Sequence, residues 1–273
     1  MIKSDLYSKT LLKPQIPYVV NKFIYEYDLS KANISSLRQQ NIIDDELYQK
    51  LYSADRMYRQ VYVGNMIRNN KEIGKLIKKG IFEARKQFFD INNIEDWEIL
   101  SIKNDAVFVI GRQMNGSISQ FYNFRLANTY TIFMQLLDLE LYYYDIFKPN
   151  GQLDINIDIK GINDELLLLH ENGIMQVIID VCIDIQRGTA KESISKLSNL
   201  YMDYINRRLP IEYYREFDYD SKYSVVSRFS VFKLDYITKD HLPYIDINRN
   251  LSIIRSLLWI MTNLYNEEYS KLI

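Results

Sequence analysis

Phe23-Ile24-Tyr25-Glu26-Tyr27-Asp28-Leu29-Ser30-Lys31-Ala32-Asn33 is the stretch that decides how this chain is read. An alternating, aromatic-rich run of strand character ends on an aspartate and passes directly into a segment of helical character. A second stretch, Ile99-Leu100-Ser101-Ile102-Lys103-Asn104-Asp105-Ala106-Val107-Phe108-Val109, reads as strand, tight turn and strand. Asn and Asp favour such turns because their side chains bond nearby backbone and tolerate left-handed geometry. Two carboxylates on neighbouring strand ends suit two-metal phosphoryl transfer. In that chemistry, ions about 3.5–4 Å apart activate the attacking oxygen and hold the leaving phosphate. Asp28 and Asp105 are therefore the candidate catalytic and metal-binding acids, expected side by side in an accessible cleft. The backbone carbonyl of Leu29 is a further oxygen ligand, Mg2+ is the expected cofactor, and mutual repulsion should raise the pKa of one acid. Each aspartate also has a purely structural reading, Asp28 as a helix N-cap and Asp105 as a turn residue.

Working outward, residues 1–20 read as extended, with Pro14 and Pro17 opposing helix. Helices are expected from Ser30 to Gln40, from the Asp44-Asp45-Glu46 cap through Tyr52, and from Ser53 or Asp55 onward. Ile73, Leu76, Ile77, Ile81, Ala84 and Phe88 recur at helical spacing and predict one long helix over 69–92. Lys71, Lys75, Lys78, Lys79 and Arg85 are assigned to its other face, either solvated or a phosphate-binding ridge. Strands are expected over Ser117–Phe124, Thr129–Asp145 and Leu153–Ile159, with a turn at Pro149-Asn150-Gly151. Helices follow at 163–171, 173–186 and 190–207, the last introduced by Thr189 and stopped by Pro210. A tyrosine-rich irregular region precedes a final helix at 248–269, whose Leu257, Leu258, Trp259 and Met261 are read as core. The fold class is α+β: an antiparallel sheet with covering helices, then a mostly helical half. The expected domains are 1–160, with a helical insertion at about 30–92, and 161–273.

Composition narrows the function classes. The 273-residue chain has 47% hydrophobic and 25% charged residues, which places it with soluble globular proteins. Its net charge of −1 means that any nucleic-acid binding must come from a local basic face. The single cysteine, Cys182, excludes a disulfide framework and reads as a small core residue. With only His170 and His241, a zinc site or a Cys-His nucleophile is disfavoured, and His170 reads as a helix-end residue. No signal peptide or membrane span is visible, so a cytoplasmic protein is expected. The 23 tyrosines would suit base stacking, but A/T-rich codons explain the abundance more simply.

The order of these segments resembles the palm of family B DNA polymerases. Asp28-Leu29-Ser30 is similar to the first palm motif, an aspartate at a strand end opening a helix. Asn104-Asp105-Ala106-Val107-Phe108-Val109 resembles the Asp-Thr-Asp-Ser hairpin, with Asp105 at the indispensable metal ligand. The helix containing Gly80-Ile81-Phe82-Glu83-Ala84-Arg85 resembles the one leading into that hairpin. Asp158-Ile159-Lys160-Gly161 and the helices through Arg208-Leu209-Pro210 resemble the thumb. The resemblance spans residues 20–215 and implies a palm-like sheet, a reduced fingers-like insertion and a thumb-like helical half. It places Asn33 where the family's sugar-discriminating tyrosine stands. Arg56, Gln60 and Gly64 take the spacing of the fingers Lys, Asn and Gly, with the tyrosine displaced to Tyr62. The first hairpin aspartate is replaced by Lys103 and the threonine by Asn104; a lysine there would repel metal or contact phosphate. Arg56 and Arg59 are the candidate triphosphate ligands, with Asn33 and Gln60 completing the nucleotide site. Lys160 is the candidate primer-phosphate contact, and Lys103, Lys71, Lys75, Lys78 and Arg207 complete the nucleic-acid face.

Three functions follow as expectations. The first is a minimal nucleotidyltransferase acting with magnesium on a DNA primer-template or single strand, with a second replication subunit as a further partner. The second is a polymerase-derived protein that has lost catalysis and binds nucleic acid or a replication partner. The third is an unrelated structural or interaction protein of a phage or mobile element.

Overall fold

The computed structural model describes residues 10–12, 16–137, 139–147, 153–160, 173–210, 213, 223–227, 230–233 and 249–270. The protein is α+β. Two compact units divide it, one of residues 1–16 and 22–130, the other of residues 17–21 and 131–273. The division expected at residue 160 falls inside the second unit, at the end of the strand Leu153–Lys160.

The first unit carries strands β1 (Thr10–Leu12), β3 (Ile24–Leu29), β4 (Ile99–Lys103), β5 (Ala106–Ile110) and β6 (Phe124–Tyr130). They form one sheet in the order β1-β4-β5-β3-β6, with every pairing antiparallel. Between β3 and β4 the chain forms α1 (Ala32–Gln39), α2 (Asp45–Ser53), α3 (Arg56–Asn69) and α4 (Lys71–Asn92). Local chemistry sets their starts. The Asp44 carboxylate accepts from the Leu47 amide at 2.8 Å, the Asp55 carboxylate from that of Tyr58 at 2.8 Å, and the Asn70 side chain from that of Glu72 at 3.0 Å. Each cap satisfies an amide that the helix leaves without a partner.

Strand β3 is central, and only Asp28 escapes full burial along it. Tyr25, Tyr27 and Leu29 share the face that packs with Ala84, Phe88 and Phe89 of α4. Period-2 alternation therefore places Glu26 and Asp28 on the opposite face. Glu26 is buried there and accepts from Asn128 Nδ2 at 2.6 Å and the Tyr130 hydroxyl at 3.0 Å. A second core, built on Ile34, Leu37, Tyr48, Leu51, Val63 and Ile77, ties the four helices together.

The second unit pairs β2 (Tyr18–Val19), β7 (Ile132–Leu136), β8 (Leu139–Phe147) and β9 (Leu153–Lys160) in that order, all antiparallel. Its helices are α5 (Gly173–Arg187), α6 (Ala190–Ile205) and α7 (Arg249–Ser270), and they share one core with the sheet. Cys182 is fully buried in it, as expected of a small core residue.

Three expectations change. Ser117–Phe124 is not a strand: a single bridge joins Ser117 to Asn123, and a loop closes on bonds from Ile118 and Ser119 to the Tyr122 carbonyl. The alternation there reflects Tyr122 and Phe124 turning into the core. The region after Pro210 holds a hairpin, β10 (Tyr223–Ser227) and β11 (Ser230–Lys233). Trp259 is half exposed at 52%, because Ile253, Leu257, Ile260, Met261 and Leu264 occupy the buried stripe of α7. Thr189 does introduce α6 as its N-cap residue, although its hydroxyl donates to the Asp184 carbonyl at 3.2 Å instead of accepting from a helix amide. The expected helix at 163–171, the turn at 149–151, His170 and His241 lie outside the described residues.

Helix α4 approaches α1 at Gly80, where an added Cβ would stand 2.5 Å from the Ser36 Cβ and 2.8 Å from Gln40 Nε2. Backbone-anchored Ser36 gives way only if α1 shifts. Gly80→Ala is expected to cost about 1–3 kcal/mol by overpacking, despite alanine's better helix propensity. Urea unfolding of the two proteins measures it, and an unchanged or raised midpoint would show that α1 yields freely.

Candidate functional site

The site is set by backbone pairing. The Leu29 amide donates to the Asp105 carbonyl at 3.1 Å, and the Ser30 amide to the Asn123 carbonyl at 2.9 Å. Asp28 is in register with Ala106 on one side and Arg125 on the other. The β4–β5 turn is two residues long, with Asn104 in the left-handed region at φ 53°. Asp105 thus sits at the hairpin tip beside the end of β3. Both acids line one cavity of about 650 Å³, within the range usual for small-molecule sites.

Every residue expected at the metal and nucleotide sites lines this cavity: Asp28, Leu29, Asp105, Asn33, Arg56, Arg59 and Gln60. Asp28 is not a helix N-cap; the N-cap of α1 is Lys31, in the left-handed region at φ 50°. The residues expected to contact nucleic acid are placed elsewhere. Lys71, Lys75 and Lys78 are exposed on α4 and do not line the cavity, and Lys75 pairs with Glu72 at 2.6 Å. Lys103 ends β4 outside the cavity lining. Lys160 and Arg207 belong to the second unit; Lys160 pairs with Asp158 at 2.5 Å, and Arg207 takes φ 57° after α6.

Three charged or aromatic lining residues, Arg125, Lys31 and Tyr52, are not among the site residues read from the sequence. Arg125 of β6 binds Asp28 through Nε at 3.3 Å and a terminal nitrogen at 2.9 Å, across 97 residues of chain. Lys31 places its Nζ 3.2 Å from the centre of the Tyr52 ring and donates to the Tyr52 carbonyl. Tyr52 itself lines the wall. Arg125 had no local signal, since only strand register brings it to Asp28. Lys31 and Tyr52 flank segments that the sequence did mark.

Arg85 requires a correction: it is fully buried, not on the solvated face of α4. The residues Ile81, Ala84, Arg85 and Phe88 fall on one helical stripe, so the spacing places Arg85 with the core although its charge suggests otherwise. Its guanidinium lies 4.7 Å from the centre of the Phe82 ring.

The charges perturb one another. Burial pushes the Asp105 carboxyl above the usual aspartate range; its own backbone amide opposes this, the Asp28 carboxylate reinforces it, and Arg85 and Arg56 oppose it. Burial lowers Arg85 to about 10, against the attraction of Asp105. Burial also lowers Lys31, and the neighbouring Arg59 adds to that. In all, Lys31, Arg56, Arg59 and Arg125 face two acids, so the cavity wall carries an excess of positive charge. Such a wall suits a polyanion.

The donor set also bears on a metal. Among the described residues no group of three or more His, Cys, Asp and Glu side chains is arranged to hold an ion. Magnesium is commonly held by one or two carboxylates together with substrate phosphates. Asp28 and Asp105 fit a cation that arrives with a phosphate ligand, not a self-contained cage.

A family model described as bacteriophage PBS1 gene 130 protein matches residues 1–263. The chain belongs to that family, which supports a phage origin. Comparison with curated proteins gives no match. Among the described residues no helix is long and apolar enough to cross a membrane.

A stability prediction follows from Asp105. Because its folded-state pKa is raised, the unfolded chain gives up the proton first as pH rises, and ionisation then disfavours the fold. Asp105→Asn, without metal or ligand, is expected to raise the melting temperature at pH 7. The gain should vanish below about pH 4, where both states carry the proton. Thermal melts across pH check it; a lower melting temperature at pH 7 would mean that the Arg85 attraction dominates.

Proposed function

We propose that the cavity of the first unit is a nucleotidyltransferase site, and that the protein extends nucleic acid in a phage-infected host cytoplasm. The observation that carries the reading is the meeting of Asp28 and Asp105 on adjacent strand ends in one cavity with Arg56 and Arg59. The order of strand, helices and hairpin, and the resemblance to a family B polymerase palm, favour the same chemistry. When bound, Mg2+ supplies activation of the attacking oxygen and neutralisation of the leaving phosphate.

The chain's own residues divide the remaining work. Asp28 and Asp105, with the Leu29 carbonyl, offer hard oxygen donors on the rigid sheet. Arg56, Arg59 and Lys31 bring cationic groups to the same space, where fixed charge in a partly desolvated site stabilises a transferring phosphoryl group. Asn33 and Gln60 add neutral polar groups at positions that the resemblance gives to sugar and nucleotide contacts. Arg85 lies behind Asp105 as buried counter-charge. Nucleic acid is the partner class; Lys103, Lys71, Lys75 and Lys78 of the first unit are the residues proposed to meet its phosphates, with Lys160 and Arg207 proposed as separate contacts on the second unit. A second replication subunit would supply what the short helical insertion lacks.

One feature favours a catalytically inactive derivative that binds nucleic acid or a replication partner. Lys103 stands where the hairpin's other acid would be, leaving two carboxylates in the cavity. One experiment separates the readings. A labelled primer-template is incubated with the protein, the four deoxynucleotides and Mg2+ or Mn2+, and binding is measured at two salt concentrations.

Extension is expected, with Asp28→Asn and Asp105→Asn reduced to background while remaining folded. Arg56→Ala should raise the nucleotide KM about tenfold to a hundredfold, the loss of a charge-assisted contact. Binding should weaken steeply with salt, because neutralised phosphates release counterions. Salt-sensitive binding without extension identifies the inactive derivative. Neither binding nor extension would leave a phage structural or interaction protein as the better description.

A further inference from the structure

In the cavity, one carboxylate oxygen of Asp28 accepts two bonds from the Arg125 guanidinium, at 2.9 and 3.3 Å. The two residues are register partners on β3 and β6, so the contact is built into the sheet. The guanidinium is also the more exposed partner, with 66% of its side chain accessible against 29% for Asp28. A planar fork on a long stem, anchored on a strand beside open volume, can release the carboxylate by side-chain rotation alone. The other cavity arginines differ. Arg59 donates to the Ala54 carbonyl, and Arg56 makes its electrostatic contact with Asp105.

We infer that Arg125 is a displaceable placeholder cation, holding Asp28 in the absence of a divalent ion and turning to the polyphosphate of a nucleoside triphosphate when the ion arrives. This rests on the nucleotidyltransferase reading of the same cavity. Physical economy supports it. Asp28 and Asp105 together would repel in a partly desolvated site, and a guanidinium offsets that repulsion without a metal. A divalent ion reaching Asp28 must displace the guanidinium, and the released charge then faces a cavity whose other cations already suit a polyanion. Arg125 is thus a positioning residue that couples two ligands, antagonistic to the metal alone and favourable to the nucleotide once metal is present.

The test reads binding, not turnover. Mn2+ is titrated by electron paramagnetic resonance into the protein and its Arg125→Ala, Arg125→Lys, Arg56→Ala and Asp28→Asn variants. Circular dichroism shows that each is folded. Without nucleotide, Arg125→Ala should bind Mn2+ about tenfold more tightly, because the ion no longer competes with a bonded guanidinium. Arg125→Lys should fall between, and Arg56→Ala, which removes equal charge near Asp105 but no bond to Asp28, should tighten Mn2+ binding by less than about threefold. With saturating Mn2+, the affinity of Arg125→Ala for dATP should fall about tenfold.

If Asp28-dependent Mn2+ binding is present but Arg125→Ala leaves it unchanged, or matches Arg56→Ala, the placeholder role is overturned and the nucleotidyltransferase reading stands. If no protein binds Mn2+ in an Asp28-dependent way, with or without dATP, both are overturned.

Discussion

Strand β3 is paired on both edges, with β5 on one side and β6 on the other, and everything in the first unit depends on that double pairing. A strand buried on both faces and bonded on both edges has little freedom to slip, since a one-residue shift would reverse every side chain. The register therefore fixes Asp28 opposite Ala106 and Arg125 at once. Three segments far apart in sequence deliver the hairpin acid, the strand acid and its arginine to one place. The bond from the Leu29 amide to the Asp105 carbonyl extends the ladder to the hairpin tip. The candidate chemistry sits where that ladder ends, which is where a sheet can present side chains without burying them.

The charges around that point are arranged against the usual preference of a folded core. Arg85 is buried beneath the sheet and Asp105 is partly buried beside it, and each is displaced toward its neutral form by desolvation. Their mutual attraction offsets part of that cost, which is the condition under which buried charge persists. Above them, Asp28 is held by Arg125, while Lys31 lies against Tyr52 in a left-handed conformation that a non-glycine residue seldom adopts. Strain, buried charge and perturbed pKa values coincide at one cavity of the first unit. Such features cluster at functional sites because structure elsewhere must hold them in place.

Much of this was legible because the signals were local. Helix starts at Asp44 and Asp55 follow from one side chain and the amides just after it, and the β4–β5 turn follows from Asn104-Asp105. The 3.6-residue period predicted α4 to within two residues of its ends. What escaped was non-local or masked by charge. Arg125 is invisible until β3 and β6 are in register. Arg85 sits on the buried stripe that the period defines, yet its charge alone assigned it to solvent. The Ser117–Phe124 loop imitates a strand, because a loop that turns Tyr122 and Phe124 inward shows the same alternation. Trp259 was read as core from its type, when its angular position on α7 lies beside the apolar stripe and not on it.

The two walls of the cavity differ in how firmly they are held. The acid wall belongs to a sheet whose central strand is buried along nearly its whole length. The cationic wall belongs largely to α3, which carries Arg56, Arg59 and Gln60 and buries only Val63 outright. Tyr62, Met66 and Ile67 add partial packing against the helical core. Apolar burial is the main term resisting local opening, so α3 belongs to the less stable part of the unit and β3 to the more stable. A polyanion that engages both walls would tie the weakly held helix to the rigid sheet. Anion binding and the tightening of α3 against the sheet would then be a single event, with Arg56 and Arg59 meeting the anion and Asp28 and Asp105 setting the geometry to which they close.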